Sequence, residues 1–457
     1  MDTQLGVVIL AAGKGTRMHS DNPKVLQPML GEPMLRYVLD ALAPLAGDNL
    51  WTVIGHGAET VRRLFADHAT AFVVQERQLG TGHAVQTVWP ELEESGVTHV
   101  LVVNGDTPLI STVAMRSFVD AAFEEKSDLA FLTLTPDDAA SFGRVLRRNG
   151  TVAAIIEAKD YSEQEHGPCP REINSGIYCL RCETIASLLP QLQNENKSGE
   201  FYITDLVELA VGQGLRVSGI EAGNDMHLLG VNTPAELVAA EELLRARLVG
   251  KALDDGALIF MPDAVRMGPD AVVEPGAMIT GPCELYKKSR VARGARVSSH
   301  CYLEDTEVFS GALVHSFCHL VGASIGENCV TGPFARMRPG ARMEEGAHLG
   351  SYVEMKKSRL GKGAKANHLA YIGDADIGAG ANIGAGVITC NYDGRNKHAT
   401  RIGEGAFIGS NASLVAPVNV GDNGFVGAGS VITKDVPDGN IGISRVRQKN
   451  MVWKKKQ

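Results

Sequence analysis

Ile402-Gly-Glu-Gly-Ala-Phe-Ile408-Gly-Ser-Asn-Ala-Ser-Leu414-Val-Ala-Pro-Val-Asn-Val420-Gly-Asp-Asn-Gly-Phe-Val426-Gly-Ala-Gly-Ser-Val-Ile432 places an aliphatic residue at every sixth position without a miss. A six-residue step with one inward aliphatic per step is the mark of a parallel β-helix, in which each repeat forms one flank of a coil. The same step runs through Ile325, Thr331, Met337, Met343 and Leu349, and again through Leu360, Ala366 and Ile372. Glycine follows the inward position at 326, 332, 350, 361, 373, 378, 384, 403, 409, 421 and 427. Residues 257–435 are expected to make about ten coils, stacked at ~4.8 Å into a prism ~45–50 Å long. The register slips by one between Leu349 and Leu360 and again between Ile372 and Ile377. A longer break at 391–400 predicts a loop leaving the prism. Irregular polar residues beside the slips, Glu354-Met-Lys-Lys357 and Asn367-His-Leu-Ala-Tyr371, are where chemistry is sought.

Upstream the period changes. Apolar runs at 6–10, 51–54, 71–74, 99–103 and 129–134 read as strands, and helical patterns fall at 34–45, 59–65, 83–89 and 112–123. This alternation predicts a mostly parallel sheet with helices on both faces, whose ligands gather at the carboxyl ends of the strands. Thr233-Pro-Ala-Glu236 carries a capping box with proline in the first turn, and Leu237, Ala240, Leu244 and Leu248 keep helical spacing. Three parts follow: 1–232, a linker helix over 233–256, and 257–457 with its tail.

The chain has 457 residues, with 51 glycines and only 5% aromatic residues, as suits a core of small and β-branched side chains. A formal net charge of -9 argues against a nucleic-acid surface. The basic tail, Arg445, Arg447, Lys449 and 454–456, is the one cationic cluster of its kind. No apolar run reaches membrane-spanning length, and Met1-Asp-Thr-Gln lacks a basic leader, so a cytoplasmic protein is expected. Eight cysteines show no disulfide framework. His166, Cys169, Cys179 and Cys182 imitate zinc spacing, but Cys179 falls in an apparent strand, where residues three apart point to opposite faces.

Leu10-Ala-Ala-Gly-Lys-Gly-Thr-Arg-Met18 follows the first strand. Gly13 and Gly15 allow backbone N–H groups to approach an anion, and Lys14, Arg17 and Lys24 add cations. That combination suits a triphosphate, although the P-loop spacing is absent. Asp106 is the leading ligand for a hard cation such as Mg²⁺, and Asn232 offers a neutral second oxygen. Gln75 and Gln78 flank Gly80-Thr-Gly82, a turn suited to a base or ribose. Glu157 and Asn174 suit sugar hydroxyls. In the repeat half, His368 has the chemistry of a general base at neutral pH.

Over nearly its whole length the chain resembles the bacterial bifunctional N-acetylglucosamine-1-phosphate uridylyltransferase/glucosamine-1-phosphate N-acetyltransferase family. The matching segments are Leu10-AAGKGTRM-18, Gln78-LGTGHA-84, Gly105-Asp-Thr-Pro108, Glu172-Ile-Asn-Ser-Gly176, Gly199-Glu-Phe-Tyr-Ile-Thr-Asp205, Arg338-Pro-Gly340, Val353-EMKKSRLGKG-363 and Asn382-IGAGVITCNYDG-394. The first is shared by sugar nucleotidyltransferases in general; the last two are specific to the bifunctional family. The resemblance implies a Rossmann-like nucleotidyltransferase domain joined by a helix to a left-handed parallel β-helix, working as a homotrimer. It implies that the first half joins UTP to N-acetylglucosamine 1-phosphate, with Mg²⁺ held by Asp106 and Asn232. The nucleotide-sugar site would comprise Leu10, Ala11, Ala12, Gly13, Lys24, Gln75, Gly80, Thr81, Gly105, Gly143, Glu157 and Asn174. Asn104 stands where the family often has Tyr. The second half would acetylate glucosamine 1-phosphate from acetyl-CoA, with His368 as base and Glu354 supporting it. Arg338, Lys356, Tyr371 and Asn382 would hold the sugar phosphate, and Ala385, Asn391, Tyr392, Ser410, Ala428 and Arg445 fall on acetyl-CoA positions. The alternative is a single-activity sugar-phosphate nucleotidyltransferase with a structural or regulatory β-helix.

Overall fold

The computed structural model describes residues 4–139 and 142–453. It divides into two compact units between Leu244 and Arg245, inside the helix Pro234–Asp254. The dividing point therefore falls within the expected linker helix rather than at either end of it. The capping box forms as the sequence predicts: the Glu236 amide donates to Thr233 Oγ1 at 3.2 Å, and the Thr233 amide donates to the Glu236 carboxylate at 3.2 Å.

In the first unit the main sheet runs, in spatial order, Val217–Glu221, Leu129–Leu134, Ile173–Arg181, His99–Asn104, Leu5–Ala11, Leu50–Ile54 and Ala71–Val74. All neighbours pair parallel except Ile173–Arg181, which is antiparallel to both of its own. The first strand shows why helices cover both faces. Val7, Ile9 and Ala11 pack into one buried cluster with Leu35, Val38 and Leu39, while Val8 packs into another with Val85, Val88 and Leu92. Alternation along a buried strand gives two apolar faces, and each needs a helix. The helices Met34–Ala46 and Thr112–Glu124 cover one side, and Thr81–Ser95 the other.

The second unit is a parallel β-helix with three sheets of eleven, ten and nine strands. Its interior is a single apolar cluster of Ala, Val, Ile, Leu, Met and Cys, with Ile325, Leu349, Leu360, Ile377, Ile408, Leu414 and Val426 all at 0% exposure. Small and branched side chains suffice because each coil places one inward residue per flank directly above the last, so layers fill without large rings. The register slips read from the sequence are coils one residue short. His348 pairs with Lys365, seventeen residues on, whereas Phe407 pairs with Phe425, eighteen on. Two more short coils, Arg296 to Leu313 and Leu313 to Val330, lie upstream of the runs where the repeat is legible. Between Asn382 and Phe407 the coil carries the extra loop expected at 391–400.

Candidate functional sites

The first strand ends at Ala11, and the chain turns through Gly13 and Gly15 into the short helical turn Thr16–Met18. Gly15 has φ +64°, and a Cβ there would lie 2.4 Å from Lys24 Cβ, so the loop closes only around glycine. Beside it lies a cavity of about 480 Å³ lined by Leu10, Ala11, Ala12, Gly13, Lys24, Gln75, Gly80, Thr81 and Asp106, together with Lys14, Gln78, Asn104 and Glu200. The strand carboxyl ends have thus gathered most of the predicted nucleotide residues. A cavity of similar size, about 470 Å³, surrounds His99, Phe123 and Arg181 at the other end of strand His99–Asn104, so volume alone does not locate the site.

Two oxygens converge on one cation. The Lys24 ammonium contacts the Asp106 carboxylate and donates to Asn232 Oδ1 at 2.8 Å, and Arg17 Nη2 donates to the same oxygen at 2.9 Å. Gly230 makes room for this arrangement, since a Cβ there would lie 2.8 Å from Asp106 Oδ1. A carboxylate and a carboxamide oxygen already sharing a cation are a donor set that a hard divalent ion prefers.

Gln75 is 2% exposed and is fixed by its amide, which donates to the Gly80 carbonyl and meets His83 Nδ1 at 2.8 Å. Gly80 has φ +112° and would place a Cβ 2.4 Å from the Phe201 carbonyl oxygen. The segment Glu200–Thr204 is therefore part of the site. The Gly82 amide donates to that carbonyl at 2.8 Å, the Ile203 amide donates to Thr81 Oγ1, and Thr204 Oγ1 donates to Glu157 at 3.1 Å. The motif at 199–205 signalled it in the sequence, but no role follows from its residue types.

Gly143, Glu157 and Asn174 form a second group, outside the lining of that cavity. The Asn174 amide donates to the Gly143 carbonyl at 2.9 Å, and a Cβ on Gly143 would come within 3.6 Å of the Glu157 carboxylate. Burial raises the Glu157 carboxyl above its ordinary pKa, partly opposed by the Thr204 hydrogen bond. Asn174, 7% exposed, donates to the Tyr178 hydroxyl at 2.6 Å and accepts from the Gly176 amide. Gly105 donates its amide to the Leu10 carbonyl, tying the two strand ends together. Asn104 faces Gly176, whose φ of +84° and missing Cβ leave space for its amide.

In the β-helix the predicted residues fall on one edge and one face. Leu349, Ala366, Ile383, Ile408 and Val426 are register partners in successive coils. Two residues beyond each come Ser351, His368, Ala385, Ser410 and Ala428, a single column along one edge of the prism. Glycines or Asn367 stand just before them; a Cβ on Gly350 would lie 2.0 Å from the Asn367 carbonyl oxygen, and one on Gly409 2.5 Å from the Ala428 amide. Arg445 Nη1 donates to the Ala428 carbonyl at 2.7 Å and so reaches the same column. His368 is exposed at the end of strand Lys365–His368, and Asn382 follows Lys365 in register.

On the adjoining face Glu354 pairs in register with Arg336 and Tyr371. Arg338 Nη1 donates to Glu354 at 3.1 Å. Lys356, at the far end of Glu354's strand, has its pKa lowered first by a hydrogen bond with Lys397 and then by the charges of Lys397 and Arg338. Three cations held that close repel one another unless an anion lies between them. Lys397 belongs to the loop at 391–400 and was not singled out in the sequence, because nothing in its spacing shows that the loop folds back. Asn391 is 7% exposed, its amide spent on Asp374 at 2.5 Å; Tyr392 is 60% exposed and donates to the Gly394 carbonyl. The structure thus ties Asn391 into the loop base and leaves Tyr392 outward.

Among the described residues no group of three or more His, Cys, Asp or Glu side chains is placed to hold a metal ion. His166 Nδ1 meets the Ser162 backbone, Cys169 accepts from Arg144, and burial pushes the Cys179 and Cys182 thiols up to about 12 and about 11. The tail cations at 454–456 lie outside the described residues.

Residues 7–164 match the MobA-like NTP transferase domain, and residues 399–434 match the hexapeptide repeat of succinyl-transferase. Across the full chain, the Bifunctional protein GlmU of Nitratidesulfovibrio vulgaris strain Hildenborough is 60% identical over 456 residues, covering 100% of both chains. The Bifunctional protein GlmU of Acinetobacter baumannii strain ACICU is 41% identical over 448 residues, 97% of this chain and 96% of its own. Among solved structures, a putative glucose-1-phosphate thymidylyltransferase from Bacillus anthracis in complex with a sucrose is 19% identical, covering 53% of this chain and 95% of its own at a TM-score of 0.42.

Proposed function

Since this chain belongs to the family of bifunctional GlmU proteins, we propose that it makes UDP-N-acetylglucosamine by two transfers, acetylation of glucosamine 1-phosphate first and uridylylation second. The β-helix is accordingly of the left-handed hexapeptide type, and the single-activity alternative falls away.

In the first unit, the amides of Gly13 to Gly15 with Lys14, Arg17 and Lys24 receive the UTP triphosphate. Gln75, Gly80 and Thr81 face the uridine, and Gly105, Gly143, Glu157 and Asn174 the sugar. Asp106 and Asn232 would hold Mg²⁺, which would supply positive charge against the phosphates. The sugar phosphate oxygen attacks the inner phosphorus in line, pyrophosphate leaves, and no protein nucleophile takes part; the chain's own contribution is positioning and fixed positive charge. The Glu157 carboxylate, which already accepts from Thr204, can accept from a sugar hydroxyl.

In the second unit, His368 removes a proton from the glucosamine amine as nitrogen attacks the thioester carbonyl of acetyl-CoA. The carbon–sulfur bond breaks, coenzyme A leaves as the thiol with a proton returned by His368, and Glu354 supports the histidine electrostatically. Arg338, Lys356 and Lys397 form the phosphate seat, with Tyr371 and Asn382 on the sugar. Lys356 pairs in register with Gly373, five residues beyond His368, so a sugar phosphate lying along the face would reach from the base toward this seat. The column Ala385, Ser410 and Ala428 with Arg445 offers acetyl-CoA an extended edge, and Asn391 and Tyr392 complete its surroundings. The grouping of Arg338, Lys356 and Lys397 is the observation that carries this reading, because mutually repelling cations suit an anionic substrate.

The assembly proposed is a homotrimer. His300, Phe317, Phe334 and Tyr352 stack in a ladder along the edge next to the His368 column, with centroids 4.8–5.0 Å apart, and Phe317, Phe334 and Tyr352 are 49%, 42% and 60% exposed. An apolar ladder of this kind is suited to burial against a second copy. No helix among the described residues is long and apolar enough to cross a membrane; a cytoplasmic location fits the nucleotide and coenzyme substrates. Incubation with glucosamine 1-phosphate, acetyl-CoA, UTP and Mg²⁺ should yield UDP-N-acetylglucosamine by mass spectrometry. UDP-glucosamine as the sole product would reject the order of steps, and no acetylated product would reject the second activity.

A further inference from the structure

We infer that Lys24 holds the cation seat of the nucleotide site closed, so that metal binding waits on the nucleotide. The inference rests on the reading of Asp106 and Asn232 as metal ligands and concerns what Lys24 does to that pair. Its ammonium touches the Asp106 carboxylate and donates to Asn232 Oδ1 at 2.8 Å, while Arg17 supplies a second donor to the same carboxamide oxygen at 2.9 Å. A carboxamide oxygen has two lone pairs, and both are engaged. A divalent ion needing these two oxygens must therefore displace the ammonium or share them with a like charge. The pair is well sequestered, with 13% and 17% side-chain exposure for Lys24 and Asp106, so solvent does little to weaken the competition.

The stem of Lys24 is not free to swing away unaided. It packs on Gly15, where any Cβ would collide with it, and it begins the short turn Lys24–Leu26 directly after Pro23. Only the end of the side chain can move, and in the cavity it lines the oxygens of a bound triphosphate would be the strongly anionic competitor for its ammonium. A nucleotide drawn onto the loop amides takes the ammonium onto its phosphates, frees the two ligand oxygens and adds oxygens of its own to the seat. By linkage the metal raises nucleotide affinity by the same factor as the nucleotide raises metal affinity. Lys24 is thus a positioning residue that couples the two, beyond its direct contact with phosphate.

The test measures Mn²⁺ binding to the full-length protein without nucleotide, from the electron paramagnetic resonance signal of free Mn²⁺. Lys24→Met and Lys24→Gln, each checked for an unchanged thermal midpoint, should bind Mn²⁺ about tenfold more tightly or better than the parent. The gain in Mn²⁺ affinity caused by a non-hydrolysable UTP analogue should shrink in both. Asp106→Asn, alone and combined with Lys24→Met, separates the two layers of the argument. If it abolishes Mn²⁺ binding while both Lys24 variants bind no tighter than the parent, the closed-seat inference is overturned and the metal site stands. If Asp106→Asn leaves Mn²⁺ binding intact, the metal reading of Asp106 fails, and the inference fails with it.

Discussion

The proposed nucleotide site and the proposed acetyl-transfer edge present opposite solutions to placing a few polar groups. The first rests on buried fixtures: Gln75 in the cavity wall and Asn174 in the group outside it are 2% and 7% exposed, and their side-chain amides are committed to named partners. The second is laid out on the outside of a regular solid, with His368 exposed and Tyr392 60% exposed. In the doubly wound unit, function comes from irregular loops collected at one end of the strands. In the solenoid the backbone is so regular that function comes from repetition itself. The fixed coil register turns Ser351, His368, Ala385, Ser410 and Ala428 into one column although they are scattered over the sequence. A cavity supplies its own desolvation, whereas an edge needs a ligand or a neighbouring copy to supply it.

If the two sites are as separate as this contrast implies, substitutions should fall cleanly on one side or the other. The largest effect is expected from Asp106→Ala, which should abolish uridylyl transfer and leave acetyl transfer unchanged in separate assays. Retention of most UTP-dependent activity at saturating Mg²⁺ would remove Asp106 from the site. His368→Ala should do the reverse, lowering acetyl transfer by roughly 10²–10⁴-fold, the range for a lost general base. A loss below tenfold would return His368 to the role of a surface residue.

Gly80→Ala tests the cavity through the backbone. With φ at +112° and the Phe201 carbonyl 2.4 Å from the added Cβ, about 1–3 kcal/mol of strain is expected. Uridylyl transfer should fall about ten- to a hundredfold, visible in steady-state kinetics, with acetyl transfer intact. Lys397→Met probes the phosphate seat: the KM for glucosamine 1-phosphate should rise about tenfold with kcat nearly unchanged. An unaltered KM would mean that Lys397 stays out of the seat.

The smallest effect concerns pH. Burial first, and then the Glu157 carboxylate, push Asp205 up to about 6. A carboxyl whose folded pKa lies above its unfolded value of ~3.9 contributes stability that is complete below the unfolded value and is lost as pH rises through the folded one. The parent should therefore lose stability relative to Asp205→Asn between about pH 4 and pH 6. Urea midpoints of the two proteins across that window, followed by tryptophan fluorescence, would show it; parallel curves would refute the burial argument.

Much of this was legible in the residues, for different reasons in each half. Ile402 to Ile432 keep their period because a coil cannot lose an inward side chain without opening the core. The short coils at Arg296 to Val330 were hidden because a seventeen-residue coil breaks a six-residue count while leaving the stack intact. The glycine loop with its cations, and Asp106 and Asn232 as oxygen donors to a metal, were readable, but that Lys24 lies between the two proposed ligand oxygens depends on a contact spanning more than 200 residues. Lys397 was invisible for the same physical reason, and the segment 199–205, although its motif was legible, gave no role for the same cause. Each is an ordinary loop sequence whose role arises from where the loop returns.

The separation of the two sites is tested most directly by mixing. Asp106→Ala and His368→Ala should each fail to convert glucosamine 1-phosphate, acetyl-CoA and UTP into UDP-N-acetylglucosamine. Combined in one tube they should make it, because the first releases N-acetylglucosamine 1-phosphate that the second uridylylates. Product accumulating after a lag, detected by mass spectrometry, is the result expected. A mixture that stays inactive, although each variant retains its remaining half-reaction, would contradict the account.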